Sequence, residues 1–167
     1  MQDLSLPPPF FLRAIGEQDQ AFLDALYRST REDLAQMPAD PAFVAELIGM
    51  QQHMQTQGLR SSFPQAQYGI VERDGQAIGR LVYEAAPGRL HLADLALLAD
   101  ARGQGAGSVV LRALQACAAQ RGVPLSLSVS HANPGAVRLY ARLGFVVSDS
   151  NAMQQSMAWR APTDLPA

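Results

Sequence analysis

Apolar residues recur along this chain with two different periods, and the switches between them mark out its elements. Phe10 to Ile15 reads as a first strand, and Glu17 to Ser29 carries Phe22, Leu23, Leu26 and Tyr27 on one helix face. Pro41 sits where a first helical turn tolerates proline, and Phe43, Val44, Leu47, Ile48 and Met50 carry an apolar face toward Gly58. Leu59 to Gln67 is a polar linker without an assigned element. The period then shortens to that of strands over Tyr68 to Glu72, Ala77 to Glu84 and Leu90 to Leu98, with turns at Asp74-Gly75 and Pro87-Gly88, the pattern of an antiparallel meander. A glycine-rich turn opens an apolar helix from Ser108 to Gln120, Gly122-Val123-Pro124 ends it, and Leu125 to Ser130 is a short strand. Asn133 begins another helix that stops at Gly144, and Phe145 to Val147 and Met153 to Trp159 read as closing strands.

The resulting order, β-α-α-β-β-β-α-β-α-β-β, predicts an α/β protein with a mixed sheet and helices on both faces. Its 167 residues suit one domain over the whole chain, 1–167, with a core from about 10 to 160. Pro7, Pro8 and Pro9 and the aperiodic Ala161 to Ala167 are expected to lie outside that core as short flexible ends. A formal net charge of -2 gives no positive field for a nucleic-acid backbone, so nucleic acid is not an expected partner. No stretch approaches the ~20 apolar residues of a membrane helix, and the start lacks a basic region followed by an apolar one, so a cytoplasmic protein without a membrane partner is expected. The single cysteine, Cys117, falls in the apolar helix and reads as a small buried thiol.

One junction carries chemistry. From Leu95 to Gly107 a strand ends in a glycine-rich turn that runs directly into a helix. Glycines at 103, 105 and 107 let the backbone approach a ligand closely, the amides of the first helical turn point outward, and the helix dipole favours an anion. Arg102 adds a positive charge beside them. A Walker loop would need a lysine before Ser108, and G-x-G-x-x-G is matched from neither Gly103 nor Gly105. Taken alone, such a loop is equally compatible with a simple tight turn.

The stretch Arg102-Gly103-Gln104-Gly105-Ala106-Gly107 resembles the Q/R-x-x-G-x-G/A signature of the GNAT acetyltransferases, and Asn133-Pro134-Gly135-Ala136-Val137-Arg138-Leu139-Tyr140-Ala141-Arg142-Leu143-Gly144-Phe145 resembles that family's N-x-x-A-x-x-x-Y-x-x-x-G-F segment. Arg13, Ala14 and Asp19 resemble its usual opening, so the likeness spans nearly the whole chain. Ala99 and Ala101 depart from a common proline and aromatic before the loop. The resemblance implies acetyl-CoA as acyl donor, no metal, and a cofactor site built from Leu97, Leu98, Arg102, Gly103, Gln104, Gly105, Ala106, Gly107, Ser108, Asn133 and Tyr140. In it the loop amides take the pyrophosphate, the strand edge at Leu97 and Leu98 pairs with the pantetheine arm, and Tyr140 stands beside the sulfur. A homodimer is compatible with it. The acceptor it implies is a primary amine of a small molecule or peptide, attacked directly in a ternary complex. An acyl-CoA-binding module without catalysis is the other reading, and an intact Tyr140 argues for chemistry.

Acetyl transfer needs a neutral amine, a polarised carbonyl and a proton for the departing thiolate. The Tyr140 hydroxyl suits the last task, although its ring also suits simple packing among Val137, Leu139 and Leu143. His91, Asp94 and Glu84 are the candidates for receiving the amine's proton or orienting it. Strict alternation would put His91, Ala93, Leu95 and Leu97 on one face and Leu92, Asp94, Ala96 and Leu98 on the other, so His91 and Asp94 are expected to face opposite ways. His53 reads as a solvated residue of an amphipathic helix. Without a strong base, an α-amine of pKa ~7.8 is a more accessible nucleophile than a lysine-like amine of pKa ~10.4.

Overall fold

The computed structural model describes residues 4–162. Seven strands form one sheet in the order β1-β2-β3-β4-β5-β7-β6, where β1 is Phe10–Ala14, β2 Gln67–Arg73, β3 Gln76–Ala86, β4 Arg89–Leu97, β5 Leu125–Ser130, β6 Val146–Ser150 and β7 Gln154–Trp159. Among them only β4 and β5 pair in parallel. The helices are α1 (Gln20–Ser29), α2 (Glu32–Ala35), α3 (Pro41–Ser62), α4 (Ala106–Gln120) and α5 (Pro134–Arg142).

The mixed α/β architecture and the meander agree with the sequence pattern. The β2–β3 turn is Asp74-Gly75, both at positive φ (53 and 77), which suits the twist of a tight hairpin. Three expectations need correction. The single turn α2 was not read, because four residues carry too little period to be visible. Of the linker expected from Leu59 to Gln67, Leu59 to Ser62 are the last turn of α3, which passes through Gly58, and Gln67 opens β2, so only Phe63 to Ala66 connect them; glycine weakens a helix by only about 1 kcal/mol, and the packed remainder carries it. Leu4 and Leu6 are buried in the main core, so the segment before the prolines belongs to the fold, whereas most of Ala161 to Ala167 lies outside the described residues.

The main core lies on one face of the sheet, where Val71, Leu81, Leu90 and Leu92 meet Val110, Leu111 and Leu114 of α4. Cys117 is buried in it. Alternation turns Ile70, Arg80 and Val82 to the opposite face, against which α1 lies, and a smaller core of Tyr27, Leu34, Val44 and Ile48 ties α1, α2 and α3 together. Arg13 fastens β1 to the start of α1. Its Nη1 and Nη2 donate to the two oxygens of Asp19 at 2.7 and 2.8 Å, and Asp19 also accepts the Gly16 amide at 2.8 Å. These contacts, led by the arginine, hold the Asp19 carboxyl down to about 2.

Two irregularities of β4 shape the surface beside it. Its pairing with β5 covers only Leu90 to Leu92 against Leu125 to Leu127, after which the parallel strands part and leave one edge of Asp94 to Leu97 uncovered. Its pairing with β3 shifts register: Val82 faces Asp94 while the next residue, Tyr83, faces Leu92. Ala93 is therefore the extra residue of a β-bulge.

Candidate active site

The bulge overturns the expectation from strict alternation. With Ala93 taking no partner, Leu92 and Leu95 both turn to the α4 core, and His91 and Asp94 both turn to the α1 face. A trace of this is visible in the chain: the leucines of β4 fall at 90, 92, 95 and 97, and the single interval of three marks the bulge.

Sharing a face does not give the two residues one task. His91 stacks on Phe63 with ring centroids 4.9 Å apart, and its Nδ1 lies 2.8 Å from Ser126 Oγ. Burial, aided by the charge of Arg89 and opposed by Glu84, lowers its pKa, so it is neutral at pH 7. Glu84 is its cross-strand partner and is buried, accepting the Gln65 amide at 3.3 Å and Arg89 Nη2 at 3.5 Å. Neither belongs to the wall of the cavity that Asp94 lines. His53 is exposed on α3 beside Gln57, as the amphipathic pattern implied.

Asp94 does line one. A cavity of about 370 Å³ opens between α1, α3 and the uncovered part of β4, walled by Leu23, Tyr27, Gln55, Arg80, Asp94 and Leu97, among others. Arg80 was not singled out in the sequence. Its Nε and Nη2 both donate to Asp94 Oδ2, at 3.2 and 2.8 Å, and Nη2 also reaches Gln55 Oε1 at 3.3 Å. Only the β3–β4 register brings the two residues together, so no local signal announces the pair.

A second groove, of about 520 Å³, runs over the glycine-rich loop and is lined by Leu97, Arg102, Gly103, Gly105, Gly107, Ser108, Asn133 and part of α5. Gly105 caps the N-terminus of α4 in the left-handed region, at φ 83, and an added Cβ there would meet nothing within 4 Å. The loop thus presents bare backbone to open space at the positive end of a 15-residue helix, a setting that fits a pyrophosphate. Gln104 and Ala106 do not line the groove. The Gln104 side chain accepts from Arg73 Nη1 at 2.7 Å and donates to the Asp100 carbonyl at 2.6 Å, while Ala106 is buried in the core. The Arg102 guanidinium is turned back, its Nε donating to the Leu97 carbonyl at 2.9 Å and Nη2 to that of Ser29 at 3.4 Å.

The two cavities meet at Leu97, Arg102 and Asn133. Of the strand residues expected at the edge, Leu98 donates its amide to Ile78 on β3 at 2.9 Å. By alternation it is Leu97 and Leu95 whose backbone groups turn to the uncovered edge. Asn133 caps α5, its Oδ1 accepting the Ala136 amide at 3.1 Å. Tyr140 lines neither cavity: its half-buried ring packs on Phe145 with centroids 5.7 Å apart. Burial raises its pKa, and the charge of nearby Asp94 raises it further, so the hydroxyl remains protonated at neutral pH. Among the described residues no group of His, Cys, Asp and Glu is arranged to hold a metal ion. Nor is any helix among them long and apolar enough to cross a membrane.

Residues 23–145, which hold both cavities' strands, the loop and α5, match the family model described as Acetyltransferase (GNAT) family. The chain belongs to the GNAT acetyltransferase family. Membership makes it an acyltransferase. Among solved structures, this GNAT protein is similar to the PaiA N-acetyltransferase of Thermoplasma acidophilum in complex with coenzyme A, at 15% identity over 91% of this chain and 99% of that one, with TM-score 0.65. It is also similar to a Salmonella typhimurium acetyl transferase that modifies the N-terminal serine of ribosomal protein L7/L12, at 16% identity over 95% and 98%, with TM-score 0.67. A nourseothricin acetyltransferase is 24% identical over 59% of this chain and 67% of that one, with TM-score 0.52. At these identities the likeness establishes the fold. No curated protein sequence is similar enough to match.

Proposed function

We propose that this GNAT protein transfers an acetyl group from acetyl-CoA to a primary amine of a small molecule or peptide, by direct attack in a ternary complex. The observation that carries this reading is the meeting of the loop groove and the acceptor cavity along the uncovered edge of β4. Acetyl-CoA, when bound, supplies the activated acetyl thioester. The amides around Gly103, Gly105 and Gly107 would hold its pyrophosphate, and the backbone of Leu95 and Leu97 would pair with its arm and polarise its carbonyl.

Asp94 is the group that receives the amine, because it is the sole carboxylate on the acceptor cavity wall among the described residues. Tyr140 lines neither cavity, but the charge of Asp94 on the cavity wall reaches its hydroxyl, and this nearness supports a role for it on the departing sulfur. Its pKa, raised above the ordinary ~10, faces a thiol near ~8.5, so complete proton transfer to the thiolate is uphill by at least about 2 kcal/mol. Tyr140 therefore works by donating a hydrogen bond as charge develops, and the balancing proton comes from the acetylated amine. His91, neutral and held by Ser126, supports the strand from roughly 7 Å along it, the rise of two paired positions.

The test is thiol release from acetyl-CoA across a panel of amines, with wild type and Tyr140→Phe. The variant keeps the ring against Phe145, so it should fold normally and bind CoA normally. Its single-turnover rate should fall by at least about tenfold, the effect of one hydrogen bond to a developing charge. Wild-type rates in Tyr140→Phe would remove Tyr140 from the chemistry. A folded wild type that binds CoA but acetylates no amine would leave a binding module instead. The chain contains no lysine, so acetyl groups found on the protein itself report only on its N-terminus.

A further inference from the structure

Arg80 stands at the middle of β3, opposite Ile70 and Ala96, and its side chain is only 11% exposed. A guanidinium so far out of water normally has all its N–H groups engaged, because unused donors and unbalanced charge cost free energy. Here Nε and Nη2 are spent on a single oxygen of Asp94 and on Gln55. Nη1 and Oδ1 of Asp94 make no hydrogen bond among the described residues, and neither is shut off from water, so both open onto the cavity. Both side chains belong to the wall of the acceptor cavity. One donor and one acceptor, fixed beside each other by a shared ion pair, are thus left for whatever enters.

The charges on that wall restrict the occupant. Arg80 and Arg102 supply two guanidiniums and Asp94 one carboxylate. A polycationic acceptor would set its further ammonium groups against the arginines with one carboxylate to offset them. A simple alkylamine would satisfy Asp94 and leave Arg80 Nη1 bare. Leu23, Leu26 and Tyr27 form the facing wall from α1, and they suit an apolar side chain.

We propose that the acceptor is a free amino acid, most suitably one with an apolar side chain, whose α-amine is held at Asp94 Oδ1 and whose carboxylate is read by Arg80 Nη1. This rests on the reading that the cavity beside β4 takes the acceptor. The nitrogen of the amino acid forms a bond to the acetyl carbon, the carbon–sulfur bond breaks, and one N–H proton leaves with the sulfur as thiol. The products are an N-acetyl amino acid and CoA. Arg80 is a specificity-determining residue, distinct from the groups that act on the reacting atoms.

The common amino acids are offered to the wild type with acetyl-CoA, each apolar one beside its amide and its decarboxylated amine, for example leucine, leucinamide and isoamylamine. The kcat/KM for the amino acid should exceed those of both analogues by at least about tenfold, as expected when the wrong substrate displaces water from Nη1 without replacing its hydrogen bond. Arg80→Met, which also frees Asp94, should slow both substrates, but it should raise the KM for leucine by at least about tenfold more than that for isoamylamine. Arg80→Lys, which keeps the charge without the fork, should retain part of leucine's advantage and serves if the methionine variant is unfolded. Equal losses for leucine and isoamylamine would make Arg80 a purely structural partner of Asp94 and overturn the proposal. So would a preference for leucinamide or a peptide, which would point to a peptide N-terminus, or CoA binding without acetylation of any amino acid. Failure to bind CoA would instead remove the acetyltransferase reading beneath it.

Discussion

Replacing Gly105 by glutamate should separate the fold's demands on the loop from the ligand's, because the two respond with different signs. At φ 83 any side chain pays for the left-handed backbone, about 1–2 kcal/mol, but a Cβ there meets nothing within 4 Å and adds no clash. Gly105→Ala measures that backbone cost alone, and in a chain of this size it should lower Tm by roughly 2–8 °C. Gly105→Glu carries the same cost and recovers part of it, because a carboxylate at the N-terminus of α4 is stabilised by about 0.3–1 kcal/mol. CoA meets the opposite effect. A carboxylate about 5 Å from one phosphate charge repels it by about 1–3 kcal/mol for effective dielectric constants between 80 and 20, a loss of roughly 5–150-fold in affinity. Calorimetric Kd values for CoA and melting curves for the three proteins, at about 50 and 500 mM salt, provide the comparison. Gly105→Glu should be at least as stable as Gly105→Ala, should bind CoA far more weakly, and should regain much of the difference at high salt, where screening is strong. Wild-type affinity in folded Gly105→Glu would refute the placement of the pyrophosphate, and a loss that ignores salt would refute its electrostatic cause.

Two pH effects arise from the buried ring and the ion pair. The depressed pKa of His91 means that its contribution is complete above its ordinary 6.5 and is lost as pH falls through its lower folded value, where the unfolded chain takes up a proton the folded one resists; His91→Gln should flatten the fall in urea midpoint between about pH 7 and 5, and an unchanged fall would assign it elsewhere. Asp19, held to about 2 by Arg13 and the Gly16 amide, contributes above the ordinary 3.8 and loses that contribution as pH drops toward 2. Asp19→Asn should therefore lower the melting temperature at pH 7 and differ progressively less from wild type in acid; a constant difference at every pH would show that charge is not the cause.

The legible parts of this protein were those written in neighbouring residues. The Asp74-Gly75 hairpin, the limits of β5, the Asn133 cap of α5 and the glycine-rich turn into α4 all rest on local backbone preference, which acts within a few residues and leaves its mark in the order of the chain. The faces of β4 were a different matter. Whether His91 and Asp94 look the same way depends on one unpaired residue, Ala93, and the bulge exists because β3 and β4 are held in register on both sides of it. The Arg80–Asp94 pair on the wall of the cavity beside β4 arises from residues fourteen apart in sequence that meet only across two strands. The Arg102 guanidinium likewise finds a carbonyl on α1, 73 residues away, once the strand, loop and helix are assembled. Elements are local and sequence declares them; the direction of a charge into a cavity is set by pairing and packing between distant segments, and the folded sheet alone decides it.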